Sequence, residues 1–306
     1  MYFPFLRGKK YELQTLSELA PLIKNTGKVT PILEPLNLNP TTRRILPELN
    51  AAGVPFVFMI NPQVGDLTDK PPDIFRPIIE TLKMDNLLTL GYFINKDTTI
   101  EKITSLMEAF PTHSFAFVHT VNSKTHAELV KIKDRVRYHV FMDGRVSSSY
   151  LDGFKDSARI LIKDCFNAQN RNADYDDDEF FSELFFTYKP TFYGFGDFLI
   201  TGSGLTGGGP AHAVALHLTY LKEPAGKEIW IRHFISDDTK TAANVEGKYF
   251  QALRKLVKFL DEYTNTAETI GAHEYRLNFS DEKFHNLGYP KKLSMKHHIE
   301  LITQII

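Results

Sequence analysis

Val54-Pro55-Phe56-Val57-Phe58-Met59-Ile60, running into Asn61-Pro62-Gln63-Val64-Gly65-Asp66, is the stretch on which the reading of this chain turns. Its first part is nearly unbroken apolar sequence, short and rich in aromatic and β-branched side chains. Such runs are parallel strands buried on both faces. The second part is a rigid turn dense in hydrogen-bonding side chains. Outward from this segment the pattern repeats, with apolar runs ending near Arg7, Glu34, Asn61, Tyr92, His119, Asp143, Lys163 and Asp197. Helix-like stretches usually follow each run. Strands alternating with helical crossovers build a parallel sheet, and eight such units close into a (β/α)8 barrel. The expected class is therefore α/β, a TIM-like barrel whose strand ends share one rim.

The helices carry their own signals. Leu13, Leu16, Leu19 and Ile23 recur at spacings of three and four, painting one apolar face. Asn39 to Thr42 can cap a helix through Leu46 and Leu49. Residues 167–178 hold Asn170, Asn172, Asp174, Asp176, Asp177 and Asp178 and read as a mobile polar loop. After the eighth run the pattern changes. Residues 211–221 and 228–234 look like strands, and Pro224-Ala225-Gly226-Lys227 between them reads as a turn. This predicts a β-hairpin inserted after strand eight, over about residues 202–238. Val245, Tyr249, Leu253, Leu256 and Leu260 then form an amphipathic face, read as the eighth crossover helix. A C-terminal helical extension covers about residues 266–306, and the whole chain, 1–306, reads as a single barrel domain.

Composition bounds the function classes. With 306 residues, 42% of them hydrophobic, the chain can bury a barrel-sized core. A net charge of −1 supplies no global field toward DNA or anionic lipid. The lone Cys165 excludes an internal disulfide and any cysteine-based zinc cluster, which fits a reducing cytosol. The opening residues lack a signal-peptide pattern, and no apolar stretch approaches the roughly 20 residues of a membrane span. These observations predict a cytoplasmic protein with no membrane partner.

Candidate chemistry lies at the predicted strand ends. Arg7 and Lys9 stand where strand one reaches the rim, and an arginine there can hold a phosphate or carboxylate bidentately. They can equally be paired with Glu12 and Glu34. Asn61 and Gln63 add ligand-binding amides. The segment Thr201-Gly202-Ser203-Gly204-Leu205-Thr206-Gly207-Gly208-Gly209-Pro210 is no P-loop, having no Lys-Ser or Lys-Thr ending. In barrels, phosphate binds near the loops after strands seven and eight, so Gly207 and Gly208 are candidates for anion contact, or simply a flexible loop. Glu34, Asp143 and Asp197, with Asp164 nearby, form a carboxylate set that would hold Mg²⁺ or act as acid and base. His119, Lys163 and His233 complete the catalytic candidates, although a lone histidine near a strand end is more often structural. His212 and His217 are weaker histidine candidates, and His297-His298 reads as a solvated helix face. The rings of Phe192, Tyr193, Phe195 and Phe198 read as core before they read as a stacking platform. Neither a Ser-His-Asp or Cys-His constellation nor a Gly-x-Ser-x-Gly elbow is present.

Beside these signals, the opening Met1-Tyr2-Phe3-Pro4-Phe5-Leu6-Arg7-Gly8-Lys9-Lys10-Tyr11-Glu12-Leu13 resembles the beta protein family of prokaryotes and phages. The branch it is most similar to is usually encoded beside a PD-(D/E)XK-like nuclease. Further matching stretches are Pro31-Ile32-Leu33-Glu34-Pro35, Asn61-Pro62-Gln63-Val64-Gly65, Tyr193-Gly194-Phe195-Gly196-Asp197, Ala213-Val214-Ala215-Leu216-His217-Leu218 and His233-Phe234-Ile235-Ser236-Asp237. The resemblance implies an antiphage defence component with a nuclease-like protein partner, and carries no catalytic residue set. Two function classes follow. One is a barrel that senses or binds a nucleic acid or nucleotide beside that partner. The alternative is a metal-dependent phosphodiesterase-like enzyme using the rim carboxylates. The first is preferred, because no complete catalytic constellation is visible.

Overall fold

The structure is a computed structural model that describes residues 1–82, 85–205, 212–223, 226–263 and 267–306. Eight parallel strands form one sheet: β1 (Phe5–Leu6), β2 (Ile32–Leu33), β3 (Phe56–Met59), β4 (Leu88–Ile94), β5 (Ser114–His119), β6 (Tyr138–Met142), β7 (Arg159–Lys163) and β9 (Gly194–Asp197). Tyr2 bridges both Val29 and Phe195 in parallel fashion, and the Phe3 N–H donates to the Phe195 carbonyl at 2.8 Å. The last strand thus returns to the first, and the sheet is a nearly closed TIM-like barrel. Each strand end named from the sequence falls on one of these strands or just past it.

The strands are buried because both of their faces are covered. Phe5, Phe56, Phe58, Phe115, Phe117 and Phe141 are among the largest fully buried side chains. Glycine lets the ring close. A Cβ on Gly196 would sit on the Phe3 carbonyl oxygen, so only glycine allows the two backbones this approach. Helices Lys10–Glu18, Pro40–Ala51 and Ile100–Ala109 follow β1, β2 and β4. The cap expected within residues 39–42 is Asn39, its Oδ1 accepting from the Thr42 N–H at 3.0 Å, and Thr99 caps the third helix in the same way.

The chain divides into two compact units, Met1–Lys163 with Thr187–Asp197, and Asp164–Phe186 with Phe198–Ile306. The barrel is the first. The hairpin and the C-terminal helices, read from the sequence as attachments to one domain, belong to the second. There β10 (Ala215–Leu221) pairs antiparallel with β11 (Ile229–Ile235), as the hairpin reading expected. The third strand was not expected. Residues 167–178 lead directly into β8 (Asp178–Ser182), which pairs antiparallel with β11. The acidic run thus ends in an edge strand.

Two other readings change in this unit. Helix Val245–Glu262 packs on β10 and β11, so its apolar face covers the three-stranded sheet and is not a barrel crossover. His297 and His298, on helix Tyr289–Ile305, are fully buried. The Thr219 hydroxyl meets His298 Nδ1 at 2.9 Å, and the Thr219 carbonyl meets His297 Nε2 at 2.7 Å. On the same helix, Glu300 accepts the N–H groups of Ile270 and Gly271, capping helix Ile270–Ser280. Among the described residues no helix is long and apolar enough to cross a membrane.

Candidate functional site

The strand ends of the barrel hold an interlocked polar set. Glu34 follows β2, and its N–H donates to the Leu6 carbonyl at 2.8 Å, which carries the ladder one residue past the strand. Its side chain is fully buried. Oε2 is ion-paired with Arg7, and Oε1 accepts the Gln63 N–H at 2.7 Å. One carboxylate therefore ties together the ends of β1, β2 and β3. Arg7 is here a partner of Glu34 and lies against the Phe5 ring. Lys9 stands just before helix Lys10–Glu18, and its N–H donates to Glu12 at 3.1 Å. Burial pushes the Glu12 carboxyl above its ordinary range.

Asn61 replaces a peptide group at the end of β3. Its Oδ1 accepts the Phe93 N–H at 2.8 Å and its Nδ2 donates to the Phe93 carbonyl at 3.1 Å, so the side chain extends the pairing toward β4. Gln63 Nε2 donates back to the Asn61 carbonyl at 2.8 Å. The turn is held from below by Gly65, with φ at +87°, where a Cβ would strike the Leu36 backbone. Beside it opens a cavity of about 680 Å³ whose lining includes Asn61, Gln63, Lys70, Tyr92, Lys102 and Phe110. Burial pushes the Tyr92 hydroxyl up, against the opposing effect of its contact with the Asn61 side chain. Lys102 donates to the Asp97 carbonyl at 3.0 Å, and the carboxylates of Asp69, Asp73 and Glu101 outnumber the two lysines of the lining. Asn61 and Gln63 were legible in the sequence. Tyr92 was read only as a strand end, and Lys70 and Lys102 were not read at all, because they lie on a loop and a helix with no shared motif.

The carboxylates do not converge. Glu34 is taken by Arg7 and Gln63. Asp197 is buried and accepts the Tyr2 hydroxyl at 2.7 Å. Asp143 is exposed, as is Lys163, which is in register with Asp197 across the β7–β9 ladder. Among the described residues no group of three His, Cys, Asp or Glu side chains is placed to hold a metal ion. The donor set expected for Mg²⁺ is thus not assembled from Glu34, Asp143 and Asp197.

His119 also departs from its candidacy. It is fully buried, with Nδ1 2.9 Å from the Tyr150 hydroxyl and Nε2 3.0 Å from His139 Nδ1. The ring stacks on Phe141 and lies against Phe154. Burial, with His139 and His126 nearby, pushes its imidazole well below the ordinary range, so it is a neutral core histidine. His139 is lowered to about 4 by its own burial.

His233 is in the second unit. It sits opposite His217 in the β10–β11 register, the two Nδ1 atoms 2.6 Å apart, so one donates to the other. Its Nε2 meets Glu179 at 3.0 Å, because Glu179 lies on the same face of the neighbouring strand β8. Tyr175 stacks on His233 and Phe166 packs edge-on against both histidines. Burial lowers both imidazoles, and Glu179 partly opposes this at His233. The pair is a closed polar element of the sheet.

Gly207 and Gly208 lie outside the described residues. Of the aromatic candidates, Phe195 and Phe198 are core, while Tyr193 is exposed. Comparison with protein-family models, with curated proteins and with solved structures returned no match.

Proposed function

We propose that this chain is a prokaryotic antiphage defence component whose barrel binds a nucleic acid or nucleotide and which acts together with a nuclease-like protein partner. The observation that carries the binding half is the cavity of about 680 Å³ beside the Asn61–Gln63 turn. Its volume lies within the range of small-molecule sites. Its lining combines amide donors and acceptors and the Tyr92 and Phe110 rings, which suit a base, with two lysines that can meet a phosphate amid three carboxylates. The mouth carboxylates support binding over catalysis, since Glu34 and Asp197 are already engaged by Arg7, Gln63 and Tyr2. The defence role and the partner rest on the resemblance carried by the opening residues.

The test is phage protection by the operon with and without the neighbouring nuclease gene, alongside Lys102→Glu in this chain. Protection should need both proteins and fall in the variant. Full protection by this chain alone, or by the nuclease alone, would refute the reading.

A further inference from the structure

A second groove lies in the other unit, between β11 and helix Val245–Glu262. It encloses about 550 Å³, and its lining includes Arg232, Lys255, Lys258, Phe259 and Asp177. The sheet creates it. The pairing of β8 with β11 ends where the His233 N–H donates to the Asp177 carbonyl at 2.9 Å, so beyond that bond β11 keeps β10 on one side and, among the described residues, has no strand on the other. The helix crosses this open stretch. Lys255 Nζ takes the Ile235 carbonyl at 2.7 Å, and Asp237 at the same distance.

Arg232 differs from the other cations there. Its guanidinium lies over the Phe259 ring, 4.9 Å from the centroid, and that ring is also stacked with Tyr263. Among the described residues the Arg232 guanidinium has neither a hydrogen bond nor an ion pair, although its backbone is part of the β10–β11–β8 ladder. A guanidinium set over a ring and free of carboxylate partners keeps N–H donors available, which suits bidentate recognition of a tetrahedral oxyanion. Lys258, one helical turn beyond Lys255, stands on the same wall, and among the described residues it is held only by a long contact to Glu262 at 3.8 Å. Asp177 and Glu262 bound the groove and would disfavour a ligand of high negative charge away from Arg232.

We infer that this groove is a phosphate site, in which Arg232 grips the phosphoryl oxygens of a small ligand and Lys258 adds a second charge. Free phosphate and the phosphate of a mononucleotide present the same chemistry, and the volume admits either. The site is separate from the barrel cavity and does not depend on the function proposed for it.

Calorimetry on the full chain tests this with inorganic phosphate, ATP and adenosine. Phosphate or ATP should bind and adenosine should not. Equal affinities would identify phosphate alone as the recognised group, and tighter ATP would identify a nucleotide. Arg232→Gln should weaken binding about tenfold, the scale of one charge-assisted hydrogen bond. Lys258→Glu, on an exposed position, should weaken it severalfold while leaving the fold intact, and it decides the matter alone if Arg232→Gln fails to fold. Binding lost in Lys102→Glu but unaltered in both Arg232→Gln and Lys258→Glu would place the ligand in the barrel cavity and overturn the inference. Absence of binding by the wild type at millimolar phosphate and ATP would overturn the inference. So would unaltered binding in a folded Lys258→Glu and Arg232→Gln pair.

Discussion

Replacing Glu34 by glutamine removes a charge and almost no volume, so the change reads the ion pair at the barrel mouth directly. In the native chain the carboxylate is fully buried, paired with Arg7 and holding the Gln63 N–H, while Arg7 itself is 13% exposed. Removing one partner of a buried pair costs about 3–5 kcal/mol, because the other charge is left uncompensated. Two features place Glu34→Gln at the lower end. The glutamine carbonyl can still accept from Gln63, and Arg7 retains some water. The expected loss is about 3 kcal/mol, which lowers the melting temperature by roughly 6–12 °C in a unit of this size. Urea titration and thermal melts followed by circular dichroism would measure it. Replacing both partners by apolar residues, Arg7→Met with Glu34→Leu, should recover part of the loss, since no buried charge then remains. A Glu34→Gln protein melting within about a degree of wild type would refute the reasoning, and so would a double variant less stable than the single one.

Further outcomes follow from other parts of the structure. Gly196→Ala should cost about 2–3 kcal/mol, because the added methyl meets the Phe3 backbone, whereas Gly204→Ala, with nothing within 4 Å, should change stability by under about 0.5 kcal/mol. Matched melts of the two variants make the comparison. His139 and His297 are each lowered from 6.5 to about 4 by burial, so below pH 6.5 the unfolded chain takes up protons that the folded chain refuses. Stability present above pH 6.5 should therefore be lost as pH falls toward 4, by at most roughly 3 kcal/mol per histidine. Urea midpoints that stay flat across that window would contradict it. Glu300→Ala should cost about 1–3 kcal/mol, since the buried Gly271 N–H and its neighbour Ile270 lose their acceptor, and hydrogen exchange at those two amides should accelerate.

The barrel was legible because parallel strands buried on both faces leave a strong mark in sequence, and Val54 to Asp66 shows both the strand and its turn. What the strand ends do was less legible. His119 ends an apolar run much as Glu34 does, yet its side chain lies among Phe141, Tyr150 and Phe154. The sequence holds no record of which way a terminal residue turns. The acidic stretch before β8 read as loop because its charges had no visible partners. Asp178 accepts from Tyr220 and Lys222, and Glu179 meets His233, all of them some 40–55 residues further on. Helix Val245–Glu262 declared its apolar face, but amphipathicity does not name the surface it covers. His297 and His298 looked solvated by composition, while Thr219 and Thr269 satisfy them inside the fold.

The central claim is that the barrel binds a nucleic-acid or nucleotide ligand and works beside a nuclease partner. Native mass spectrometry of the protein purified from its own operon tests it most directly. The account predicts a complex with the nuclease-like chain and a bound nucleotide or oligonucleotide, released when Lys102→Glu is introduced. A lone chain that carries no such ligand and hydrolyses a phosphodiester with a divalent ion, an activity lost in Asp197→Asn, would contradict it.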